Sequence, residues 1–151
     1  MGNYAEVEGT IHLNEEGIAV VTDLHAAMAV VAVDNDDDRS PWALLIPEYP
    51  WLETWAKHPR SSDIPCCGYG GREPYSRLLD GATWDFECDV KETENFAVDL
   101  FILDVLPRIA TDGSRIDVRP DGIRWLKGYV LKDGIFQLKP EENKHNFWGM
   151  D

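Results

Sequence analysis

The residues of this chain whose types and spacing bear on chemistry are its carboxylates, three cysteines, four histidines and a cluster of glycines. Asp34, Asp36 and Asp38 have the D-x-D-x-D opening of a calcium loop, a spacing that turns alternate carboxylates toward one cation. The sixth position is Arg39 instead of glycine and the twelfth is Leu45 instead of glutamate, so the sharp turn and the bidentate ligand are both missing. With Asp37, the run reads as an exposed acidic loop. Cys66 and Cys67 are adjacent, and with Cys88 they form neither a CxxC pair nor a disulfide framework, which suits a reducing compartment. His12, His25, His58 and His145 fall in four separate segments without a zinc spacing, and His25 is placed as a structural histidine inside a helix. Gly68, Gly70 and Gly71 lack the lysine and hydroxyl of a phosphate loop. No nucleophile, base and orienting group can be drawn together, so the expectation is a non-enzymatic chain without metal or cofactor.

The carboxylates remain. Residues 4–13 alternate, with Ala5, Val7, Ile11 and Leu13 on one face and Glu6, Glu8, Thr10 and His12 on the other. Residues 83–90 do the same, with Trp84, Phe86, Cys88 and Val90 opposed to Asp85, Glu87 and Asp89. If the two strands are neighbours, Glu6, Glu8, Asp85, Glu87 and Asp89 share one open surface turned toward water. Like charges directly opposite each other destabilise a sheet. An ordered array of them imitates a phosphate backbone and steers a protein that normally grips nucleic acid with Lys and Arg. Arg115 and Arg119 on a further strand are the residues that would neutralise the array instead. The formal net charge of −14 argues against direct binding to nucleic acid and favours a basic partner.

The elements that must position these groups follow from periodicity. At 151 residues the chain is the size of one domain. Asn14 is set to cap a helix through Ile18, Val21, Leu24, His25 and Met28 that ends before Asp34. Residues 34–79 read as a Trp- and Pro-rich insertion in which Pro50 begins one short helix near Trp51 and Trp55. Thr93 is placed to cap a second helix to Ala110, with Phe96, Leu100, Leu103, Leu106 and Ile109 facing the core and Pro107 weakening its last turns. Strands over 114–119, 123–131 and 135–139 follow, the last two joined by Asp133-Gly134, a dipeptide suited to a tight hairpin. The expected order is βα, an insertion, then ββαβββ or close to it. That describes an α+β domain over 1–140, an antiparallel sheet of four or five strands with two helices on one face, and a tail over 141–151 carrying Phe147 and Trp148.

Asn3-Tyr4 with Gly9, Trp84-Asp85-Phe86-Glu87-Cys88, and Gly128-Tyr129-Val130-Leu131-Lys132-Asp133-Gly134 resemble the ferredoxin-like YubB-type domains of plasmid and phage proteins. The resemblance implies a ferredoxin-like sheet without an iron–sulfur cluster and an origin on a mobile element, and it supplies no catalytic residues. By analogy it brings in small acidic phage proteins that blunt bacterial defences, anti-CRISPR proteins among them. The functional expectation is an inhibitor that binds a basic, nucleic-acid-handling host protein through Glu6, Glu8, Asp85, Glu87 and Asp89 and the run Asp34, Asp36, Asp37 and Asp38. The alternative is a small-molecule or nucleotide binder with a pocket between the sheet edge and the insertion of Trp42, Trp51 and Trp55. No stretch approaches the ~18 apolar residues of a membrane span, and neither a signal peptide nor an anchor is apparent, so the expected place is the cytoplasm of a bacterial host.

Overall fold

The structure is a computed structural model that describes residues 3–33, 39–68, 73–92, 97–119 and 127–138. Six strands form one antiparallel sheet: β1 (Asn3–His12), β2 (Tyr75–Leu79), β3 (Thr83–Glu92), β4 (Arg115–Arg119), β5 (Lys127–Lys132) and β6 (Ile135–Leu138), in the order β2-β3-β1-β4-β5-β6. The sheet is therefore larger than the four or five strands expected. The additional strand is β2, inside the span read as an insertion. Its five residues alternate weakly, because Leu78 and Leu79 sit side by side and the inward position 76 is a serine. Asp80 and Gly81, both at positive φ (53° and 72°), turn the chain into β3, as Asp133 and Gly134 do between β5 and β6.

Helix α1 (Glu15–Val33) starts where Asn14 predicts. The Asn14 Oδ1 accepts from the Gly17 N–H at 2.7 Å, while its Nδ2 donates to the Arg108 carbonyl at 2.9 Å, so the cap also ties two helices together. The other long helical segment runs through α4 (Ala97–Leu100), a π-turn (Phe101–Val105) and α5 (Leu106–Ile109). Pro107 has no N–H and its ring crowds the carbonyl of the preceding turn, and the wider turn accommodates both. The turn shifts the register of the apolar stripe. Leu103, expected in the core, is 75 % exposed, and Phe101, Ile102 and Val105 are buried in its stead. Thr93 and Phe96 lie outside the described residues, as do residues 34–38, the segment 120–126 and the tail from Lys139 onward.

The inward face of the sheet holds Ala5, Val7, Ile11, Trp84, Phe86, Cys88, Val90, Ile116 and Val118, packed against Val20, Val21 and Leu24 of α1 and against Phe101 and Leu106. The segment between α1 and β2 joins this core. A turn at Pro41–Leu45 buries Trp42, and a turn at Pro50–Leu52 leads into the short α2 (Glu53–Ala56), which buries Trp55. Trp42, Trp55, Trp84 and Phe101 meet largely edge-to-face, with the Trp42 and Phe101 centroids 5.8 Å apart. Gly9 makes room for this cluster, since a Cβ there would lie 2.2 Å from the Phe86 ring.

Candidate functional site

The register of β1 with β3 and β4 builds the outer face. Glu6 lies opposite Asp89, Glu8 opposite Glu87 and Thr10 opposite Asp85 on one side, while Glu6 faces Arg119, Glu8 faces Asp117 and Thr10 faces Arg115 on the other. The register thus brings the five strand carboxylates Glu6, Glu8, Asp85, Glu87 and Asp89 alongside one another, and it adds Asp117. Glu87, Glu8 and Asp117 stand abreast across three strands, at the interstrand spacing of about 4.8 Å. The edge strand β2 contributes Tyr75 beside Glu87 and Arg77 beside Asp85.

Arginines occupy its flanks. Arg77 holds Asp85 at 2.9 Å, Arg115 holds Asp117 at 2.9 Å, and Arg119 pairs with Glu6. The neutralisation anticipated from Arg115 and Arg119 is present, with Arg77, inside the span 34–79 read as an insertion, as a third cation. The negative field persists at the β2 edge. Burial first, and then Asp85 and Glu87, push the Tyr75 hydroxyl above its ordinary pKa, against the opposing effect of Arg77. Asp85 and Glu87 are half-buried and Glu8 is exposed.

Asp89 departs from expectation. Alternation sends it toward water, yet it is only 3 % exposed. Beyond the end of β2, the chain around α3 (Asp63–Cys66) runs along β3 and takes the place of a sheet neighbour. There the Asp89 N–H donates to the Cys67 carbonyl at 2.8 Å and the Lys91 N–H to the Asp63 carboxylate at 3.0 Å. This segment covers the far corner of the face. Asp34, Asp36, Asp37 and Asp38 fall outside the described residues.

The same segment settles the environment of the cysteines. Burial, followed by Asp63 and Cys67, pushes the Cys66 thiol up to about 11, so at neutral pH it is protonated and a poor nucleophile. Among the described residues no group of three or more His, Cys, Asp or Glu side chains is arranged to hold a metal ion. No described helix is long and apolar enough to cross a membrane.

On the other side of β2 lies a cavity of about 410 Å³ between α1, the segment after it and the sheet edge, lined among others by Met28, Val31, Pro41, Pro65, Tyr75 and Ser76. The sequence placed a pocket in this region but gave it the wrong walls. Trp42 and Trp55 are sealed in the core, and Trp51 lies under the Arg108 guanidinium, 4.5 Å from its ring centroid. The signals for the true walls were the Asp80-Gly81 turn, which sets β2, and the prolines at 41, 65 and 74.

Comparison with protein-family models, with curated proteins and with solved structures returned no match for this chain.

Proposed function

We propose that the chain is a binding protein whose outer sheet face docks a basic, nucleic-acid-handling protein, and that it does so as an inhibitor from a phage or other mobile element, in the manner of an anti-CRISPR protein. The observation that carries this reading is the row Glu87, Glu8 and Asp117, three carboxylates in register on neighbouring strands. Each like-charged neighbour costs the sheet a few tenths to about 1 kcal/mol. The flanking arginine pairs, at the surface, return roughly 0–1 kcal/mol each. Negative charges a few ångströms apart on a rigid, twisted surface resemble the charge presented by a nucleic-acid strand.

The ferredoxin-like reading of the scaffold belongs to the same proposal. It is supported by the connectivity of the first four strands, in which a helix follows β1 and another follows β3 and the order is β2-β3-β1-β4. The hairpin β5-β6 extends that unit at its β4 edge.

The test is capture from bacterial lysate on the tagged protein, with the bound proteins identified by mass spectrometry at low and moderate salt. The reading predicts retention of a basic nucleic-acid-binding protein that is released by raised salt and by added duplex DNA. Retention that neither salt nor DNA reduces contradicts it.

A further inference from the structure

The cavity beside β2 has the size of a small-molecule site, within the range of about 300–1,000 Å³ common to such pockets. Its walls are mostly apolar: Met28, Val31 and Ala32 come from α1, Pro41 and Pro65 from the segment that follows, and Pro74 from the approach to β2. Among its polar lining groups, Ser76 is engaged with residues behind the wall. Ser76 Oγ accepts from Trp84 Nε1 at 2.7 Å and lies 2.7 Å from His25 Nε2. Burial lowers the His25 pKa, so the ring is neutral at pH 7 and shares a hydrogen bond with Ser76 Oγ in either tautomer. A ligand therefore finds little in this wall to exchange for its own hydration, and a strongly hydrated group is disfavoured there.

Charge narrows the choice further. Arg39 is the charged residue of the described lining, and it stands against a cation. An anion must approach a molecule of formal net charge −14.

We propose that this cavity is a binding site for a small, neutral, predominantly apolar molecule, independent of the outer sheet face. A rigid ring system or branched hydrocarbon would displace water from the apolar walls, and burial of apolar surface would supply the affinity.

The probe for this is N-phenyl-1-naphthylamine, a neutral fluorophore that brightens in apolar surroundings, compared with 8-anilinonaphthalene-1-sulfonate, which adds one negative charge to the same rings. The expected result is one neutral probe per chain, bound about ten-fold or more tightly than the sulfonate. Ala32→Trp places an indole in the cavity from α1, and Ser62→Trp does so from the opposite wall. Whichever of these retains the wild-type circular dichroism should weaken the probe by about ten-fold or more. Ala26→Trp, on an exposed position of α1 outside the lining, should leave it unchanged, and so should Glu8→Gln on the sheet face. Absence of stoichiometric binding, equal affinity for the sulfonate, or insensitivity to a folded wall variant overturns the proposal. None of these outcomes bears on the sheet face.

Discussion

At the scale of single residues, Gly9, His25 and Asp63 set how the fold responds to substitution and to pH. Gly9 lies on β1 between Glu8 and Thr10, and the space its hydrogen leaves is filled by the Phe86 ring. Gly9→Ala should cost roughly 1–3 kcal/mol, read as a lower urea midpoint, because the ring is wedged against Trp84 and Phe101 and has nowhere to move. His25 carries a pH dependence. Its folded pKa lies below the ordinary 6.5, so the unfolded chain binds the extra proton first as pH falls. The stability it supports is complete above about pH 6.5 and declines as pH drops from there toward the lower folded value. Urea unfolding at pH 7.5 and 5.5 should show this decline in the wild type and a smaller one in His25→Gln. Asp63 works in the opposite sense. Burial raises its folded pKa, so its contribution weakens as pH rises from the ordinary 3.8 toward the raised folded value.

At the scale of elements, the agreement between sequence and structure follows the strength of local periodicity. β1, α1 and β3 have long, clean patterns, and they lie within a residue or two of where alternation and the Asn14 cap put them. Asn14→Ala should lower stability by about 1 kcal/mol or somewhat more, since it frees both the Gly17 N–H and the Arg108 carbonyl. The misreadings have local causes of another kind. β2 is short, lies at the sheet edge and owes its pattern to pairing with β3. Asp80-Gly81 was its only strong local signal. Leu103 was misassigned because a π-turn before Pro107 breaks the 3.6-residue period on which the assignment rested. The burial of Asp89 depends on the segment around α3 lying beside it, a long-range placement that no window of sequence contains.

At the scale of the whole molecule, the sheet divides the protein into two surfaces with different chemistry. Its inner side is an aromatic core, and its outer side carries carboxylates contributed by β1, β3 and β4. Glu6, Glu8, Asp85 and Glu87 were legible from alternation alone, because period-two patterning fixes the face of every residue once two strands are neighbours, whereas Asp89 is covered. Asp117, Arg77 and the arrangement of the ion pairs were not legible, because they depend on which strands pair and in what register. The pairs also decide which residues can test the face. Glu6 and Asp85 hold arginines, so replacing them removes an ion pair, and Glu8 and Glu87 lie directly opposite each other at the centre of the face. The most direct measurement is the Glu8→Gln/Glu87→Gln double variant, followed in parallel by urea unfolding and by DNA-competed capture of the basic partner. If the row is kept for binding, stability should hold or rise by a few tenths to about 1 kcal/mol, while salt-sensitive capture is lost. Undiminished capture by a folded double variant would contradict the docking role of this face.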